Sequence, residues 1–365
     1  MTMINSLEIE NFKCFKSANF QLSALTVFCG SNSAGKSTAL QALLLIKQSY
    51  NNGSLHKMRL SLAGEYFSFG HVKDVFTHDA LGENISIKLD GVEFSSKVRS
   101  SNADDYFLSL ELNPDLSHSF FSSSFHYLSA YRLCPQNSYD TNLNTDIIDL
   151  GIFGQYAISE LVRYQDSPAP NQKLAKKICS HLSPKDGERQ VKLEIAFREA
   201  MKKITPSFEI NLADHKNLDK VSNTFPTGGK SINEVRPVNT GFGISYVIPI
   251  VLAMLCTGEG GVLLVENPEV HLHPAAQSML AELLTMASTC NIQVILETHS
   301  DHIINGIRAH VKENNIPDGF VTINSVRSEG GERLVTKILI DNDGGLSDMD
   351  TGFFDQAEKD LLRLF

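Results

Sequence analysis

The chain is poor in three things that would each have named a chemistry: paired cysteines, long apolar runs and basic charge. Its six cysteines, Cys14, Cys29, Cys134, Cys179, Cys256 and Cys290, form no Cys-x-x-Cys pair among 365 residues. That excludes a zinc ribbon and a dithiol redox motif, and leaves buried free thiols in a reducing compartment. The first twelve residues alternate apolar and polar side chains and lack the apolar run of a secretory signal. No apolar stretch is long enough to span a bilayer, so a cytoplasmic protein with no membrane partner is expected. With 32 Lys and Arg against 42 Asp and Glu, the net charge of −10 weighs against a broad surface for nonspecific nucleic acid binding. Two basic clusters, Lys173, Lys176 and Lys177, and Arg198, Lys202 and Lys203, read as solvated helix faces, with contact to a phosphate backbone as the alternative. No repeat is present, and no heptad pattern persists through the middle of the chain, which excludes a long coiled-coil arm.

What is present reads as an α/β protein. Leu7 and Ile9 alternate with Glu8 and Glu10 as in a half-buried strand, and Leu25 to Cys29 is a short apolar strand. A helical pattern follows from Ser37 to Gln48, with Leu40, Leu43, Leu44 and Leu45 on its core side. Ile85 to Leu89 and Val92 to Val98 predict a hairpin turned by Asp90-Gly91. Ser101 to Asp105 and Ser117 to Ser124 predict loops, and residues 151–204 read as mostly helical. Val262 to Glu266, Ala275 to Ala287 and Ile292 to Glu297 read as strand, helix and strand, a βαβ unit that implies a parallel sheet. Strands are expected near Val321 to Val326 and Leu334 to Ile340, then a short amphipathic helix from Phe354 to Leu364.

Four segments carry chemistry. Gly30-Ser31-Asn32-Ser33-Ala34-Gly35-Lys36-Ser37-Thr38 is a complete P-loop placed between a strand and a helix. Its glycines allow a tight loop whose N–H groups cradle phosphate at a helix N-terminus. Lys36 is expected to reach the β- and γ-phosphates of ATP, and the Ser37 hydroxyl to hold Mg²⁺. The second segment ends a buried strand on Glu266, an acid suited to Mg²⁺. Asn267 follows it and cannot act as a base, which makes Glu269 the nearest candidate to polarise the attacking water. The third, Glu297-Thr298-His299-Ser300-Asp301, closes the next buried strand and directs His299 toward the γ-phosphate. A metal cluster of His271, His273, His299 and His302 is set aside, since no Cys or second matched pair supports it. The fourth, Asn239-Thr240-Gly241-Phe242-Gly243-Ile244-Ser245, is a glycine-rich turn before the apolar helix Tyr246 to Leu255, where Pro249 can introduce a kink. It is either an anion site or a plain helix start.

The order of these four segments resembles the ATPase heads of the ABC superfamily. Leu7-Glu8-Ile9-Glu10-Asn11-Phe12-Lys13-Cys14-Phe15-Lys16 and Leu25-Thr26-Val27-Phe28-Cys29-Gly30 resemble its SMC and RecF branch. Glu266-Asn267-Pro268-Glu269-Val270-His271-Leu272-His273-Pro274, together with Glu297 to Ser300, is similar to the ATPases related to OLD nucleases. Gly241 to Tyr246, Tyr127 to Pro135 and Gly352-Phe353-Phe354-Asp355-Gln356 resemble a subfamily with a C-terminal domain of unknown function. The resemblance implies a P-loop NTPase fold, an ABC-type ATPase head with an N-terminal antiparallel β element and a helical insertion. It implies four segments: 1–150, the first half of the head; 151–235, a mainly helical insertion; 236–310, the second half; and 311–365, a family tail.

It further implies that two copies pair head to tail around two ATP molecules, as a homodimer or within a higher oligomer. Gly241 and Gly243 would then face the partner's nucleotide, with Thr240 or Ser245 supplying the hydroxyl of the usual signature motif. Asn267 stands where such heads carry a catalytic glutamate, and no Q-loop glutamine is evident. Asp341-Asn342-Asp343 invites a Toprim nuclease reading, but about 65 residues after the Glu297–Ser300 segment are too few for that domain, and a turn is expected. The implied function is an ATP-hydrolysing switch that regulates a separate effector, such as a nuclease, in prokaryotic anti-phage defence. The alternatives are a RecF-like DNA repair accessory that binds DNA, and an ATP-binding scaffold with little hydrolysis.

Overall fold

The computed structural model describes residues 3–121, 124–144, 146–182, 190–227, 233–347 and 362–364. The chain divides into two compact units, one built from residues 1–123 with 315–365 and the other from 124–314. The motif Gly352 to Gln356 lies outside the described residues. So does most of the helix expected from Phe354 to Leu364, of which 362–364 are helical.

In the first unit, strands β1 (Ser6–Phe12) and β2 (Phe15–Gln21) form an antiparallel pair. Strand β3 (Leu25–Gly30) is buried along its whole length and leads through the P-loop into helix α1 (Lys36–Asn51). Strand β4 (Arg59–Ser61) and helix α2 (Val72–Val75) precede the hairpin of β5 (Asn84–Leu89) and β6 (Val92–Lys97). Asp90 and Gly91 turn that hairpin at φ 49° and 81°, the paired left-handed angles of a type I′ turn. The order β2-β1-β5-β6 makes a four-stranded antiparallel sheet, and β7 (Phe107–Ser109) pairs with β4. From the far end of the chain, β15 (Val321–Glu329) lies parallel to β3 and antiparallel to β16 (Glu332–Leu339). Phe12, Phe15, Phe20 and Phe28 are wholly buried here, and Phe20 packs 5.5 Å from both Phe15 and Phe28, centroid to centroid.

The second unit opens on β8 (Phe125–Leu128), β9 (Tyr139–Asp140) and helices α3 (Ala157–Tyr164), α4 (Gln172–Ile178) and α5 (Leu193–Ile204). The stretch 151–235 is not helical throughout. After Ile204 it forms β10 (Asn211–His215), β11 (Lys220–Thr227) and β12 (Asn233–Val235), a small antiparallel sheet that β9 joins. Helix α6 (Phe242–Cys256) runs on through Pro249 and is buried from Tyr246 onward. Strand β13 (Val262–Glu266), helix α7 (Pro274–Ser288) and strand β14 (Gln293–Glu297) make the expected βαβ unit. Strand β13 pairs in parallel with β14 on one side and β8 on the other. Both β13 and β14 are buried at every residue, which explains the apolar runs at 262–265 and 294–296. Helix α8 (Asp301–Glu313) packs along α7.

Candidate nucleotide site

The P-loop belongs to the first unit; Glu266, Glu269, His299 and the Thr240–Ser245 turn belong to the second.

Backbone geometry explains the glycines of the P-loop. Gly30 and Gly35 adopt φ 120° and 119°, angles that side chains oppose. A Cβ at Gly30 would also overlap the Val326 carbonyl, and one at Gly35 would come within 2.7 Å of the Phe15 ring and 2.8 Å of Cys14 Sγ. Ser31, Asn32 and Ser33 are exposed, Ser33 at a left-handed φ of 61°, while Ala34 is buried. Lys36 is buried, and its ammonium donates to the carbonyls of Gly30 at 3.0 Å and Ser31 at 2.8 Å. The cation is thus folded back over its own loop. Ser37 is exposed in the first turn of α1, and the buried Thr38 hydroxyl lies 3.5 Å from Cys14 Sγ.

Glu266 is buried at the carboxyl end of β13. One carboxylate oxygen accepts from the Tyr127 hydroxyl and the other from the Ala130 N–H, each at 3.1 Å. Burial pushes its pKa up, against the lowering effect of those two hydrogen bonds and of Arg132. Tyr127 is pushed up as well, by burial first and by the Glu266 charge second. Arg132, which the sequence did not single out as a site residue, is buried beside this acid. Its guanidinium donates to the carbonyls of Ser129 at 3.0 Å, Glu266 at 2.7 Å and Asn267 at 2.6 Å. Burial lowers its pKa to about 10, which leaves it charged at neutral pH.

Glu269 joins the ends of two strands. It accepts from the Thr298 hydroxyl at 2.8 Å and from the His299 N–H at 2.9 Å, so two of the expected catalytic residues meet in the second unit. The His299 side chain is exposed, and Ser300 caps α8 by accepting from the N–H groups of His302 and Ile303.

The glycine-rich turn packs on the loop that follows Glu266. Tyr246 and Phe242 approach the His271 ring at 4.6 and 5.7 Å, and a Cβ on Gly243 would come within 2.6 Å of the His271 carbonyl. Gly241, by contrast, has open space around it. The Thr240 hydroxyl donates to the Pro237 carbonyl at 2.9 Å. The Ser245 hydroxyl is buried without a partner and lines a cavity of about 20 Å³ with Asn223 and Pro249. Elsewhere, Asp341 to Asp343 form a turn in which Asp341 accepts from the N–H groups of Asp343 and Gly345. In the basic clusters, Arg198 and Lys202 are engaged by Glu194 and Glu199, and Lys177 donates to Thr289.

Residues 25–305 match the family model described as "AAA domain, putative AbiEii toxin, Type IV TA system". The chain belongs to this family. Residues 321–364 of the AAA-domain chain match a second model, "Protein of unknown function (DUF3696)". No curated protein matches it. Among solved structures, an SMC head bound to the C-winged helix domain of ScpA is similar at 14% identity, with a TM-score of 0.51 over 92% of this chain and 98% of that one. The SMC head with an extended coiled coil from Pyrococcus furiosus, bound to the C-terminal domain of ScpA, gives 13% identity and a TM-score of 0.51 over 99% of each chain. At that identity the likeness shows the fold alone: a P-loop NTPase of the SMC-head type, with an antiparallel sheet beside parallel and mixed strand pairing. No described helix is long and apolar enough to cross a membrane.

Proposed function

We propose that this AAA-domain chain binds and hydrolyses ATP, and that two copies paired head to tail act as a switch on a separate effector. The observation that carries the reading is the P-loop: Gly30, Gly35, Lys36 and Ser37 stand at the spacing the motif fixes, and its glycines stand where backbone angle and close contact require them. Lys36, now held by its own loop carbonyls, exchanges those partners for the β- and γ-phosphates.

Mg²⁺ fits the donors on hand. The buried Glu266 carboxylate carries one neutral donor on each oxygen, and its burial disfavours the bare charge. Hard oxygen donors suit Mg²⁺, which keeps several waters of its own and would be held by Ser37 directly and by Glu266 through water. Bound there, the ion neutralises charge on the phosphate oxygens. Glu269 is the proton acceptor in this reading and His299 the group directed to the γ-phosphate, each positioned by the other's strand end. Asn267 supplies no base, so slow turnover is expected. The effector, a nuclease in anti-phage defence, rests on the resemblance to OLD-related ATPases.

A titration of ATP with and without Mg²⁺, together with phosphate release, tests the proposal. Lys36→Ala should abolish binding. Undiminished affinity in that variant overturns the P-loop assignment, and binding without phosphate release leaves a nucleotide-bound scaffold.

A further inference from the structure

Arg132 is not part of the motif that led to Glu266, and it stands 134 residues away from it in sequence. Burying a guanidinium is costly unless each end is bound, and here two of its nitrogens are committed to three backbone carbonyls. Two of those carbonyls belong to Glu266 and Asn267, the residues where β13 ends. Asn267 adopts φ 44°, a left-handed angle that few residues other than glycine and asparagine adopt. Such an angle persists where the surroundings over-determine it. Its carbonyl is held by Arg132 at 2.6 Å, and its N–H donates to the Glu297 carbonyl at 2.7 Å. The same short segment also grips the Glu266 side chain, through the Ala130 N–H.

We infer that Arg132 is a positioning residue for the nucleotide site: it clamps the main chain at Glu266–Asn267 and thereby fixes the Glu266 carboxylate, the acid assigned above to Mg²⁺. The planar fork is what the task needs, since two nitrogens in fixed geometry serve three carbonyls on two chain segments. A lysine places one point charge in the same space and can meet only part of that set. The inference rests on the Mg–ATP reading above and adds to it the residue that holds the acid in register.

The experiment compares the parent chain with Arg132→Met and Arg132→Lys, using ATP in Mg²⁺ and in EDTA, and then phosphate release. Methionine keeps the volume and removes every donor. The affinity in EDTA, which depends on the P-loop, should stay within about twofold. The extra affinity conferred by Mg²⁺ and the kcat should each fall roughly tenfold to a hundredfold, the cost expected when the support of a metal-binding group is lost. Lysine should recover part of that loss. A merely structural arginine would lower the melting temperature while leaving kcat per folded chain and the Mg²⁺ gain at parental values, and that result overturns the inference. An equal loss of affinity in EDTA and in Mg²⁺ overturns it too. If Arg132→Met does not fold, Arg132→Lys decides alone: a reduced kcat together with a reduced Mg²⁺ gain in affinity supports the clamp, and parental values of both overturn it. If the parent neither gains affinity from Mg²⁺ nor releases phosphate, the functional proposal falls before any variant is made and takes this inference with it.

Discussion

Glu160 shows what burial does to one side chain. It is fully buried in α3, accepts from Asn142 at 2.9 Å and pairs with Arg163 at 3.2 Å. Burial outweighs both partners and pushes its pKa from 4.5 up to about 7. A raised acid pKa means that folding favours the protonated form. Its contribution to stability is therefore complete below about 4.5 and is lost as pH rises through about 7. Glu160→Gln, a neutral mimic, should match the parent's melting temperature near pH 5 and exceed it by several degrees at pH 8. Equal melting temperatures at pH 8 would show that Arg163 compensates the charge in full. The acids at the candidate site are separable in the same way. Glu269→Gln should slow phosphate release and leave ATP affinity intact, whereas Glu266→Gln should remove the Mg²⁺-dependent part of binding. Parental turnover in Glu269→Gln, with loss in Glu266→Gln, places water activation elsewhere.

Among the elements, those whose backbone demands particular residues were legible in the sequence. The P-loop needs glycine at two left-handed positions, the hairpin needs Asp90-Gly91, and a strand buried on both faces needs an unbroken apolar run such as Val262 to Val265. Strands β10 to β12 hid for a physical reason: Val221, Asn223 and Phe225 form the buried row of β11, and a polar Asn223 in the middle breaks the alternation a strand normally shows. Arg132 and Tyr127 hid because their partners lie more than 130 residues away, a juxtaposition that no local spacing encodes. The tie between β13 and β14 was half legible: both acids and His299 were expected at strand ends, but not the Thr298 hydroxyl that joins them. Thr298→Val keeps the shape and removes that donor, leaving one Glu269 oxygen without its buried partner. A cost of about 1 kcal/mol in stability is expected, with slower turnover at unchanged ATP affinity. If turnover stays parental, the tie is structural only.

For the whole molecule, the question is whether the glycine-rich turn serves its own chain or another. Hydrolysis needs positive groups and N–H donors around the γ-phosphate, and a turn at the start of α6 has that character. Head-to-tail pairing would bring it to a second chain's nucleotide, and the arrangement of the turn dictates the variant that can test this. Gly243 is unsuitable, because a side chain there collides with the His271 carbonyl and would disturb the chain's own fold. Gly241 sits at the N-cap of α6 at φ −62° with nothing near its Cβ position, so Gly241→Arg changes what the turn presents and little else. That variant should bind ATP normally and fail to hydrolyse it, while Lys36→Ala should do neither. Mixed in equal amounts, half of the dimers formed by random exchange contain one of each chain, and each of those has one site with an intact P-loop and an intact facing turn. Phosphate release should then recover to about a quarter of the parental rate, since a closed two-fold pair of parent chains has two such sites. No recovery, with mixed dimers shown to form by tag-dependent co-purification, would mean that the turn acts within its own chain or only starts a helix.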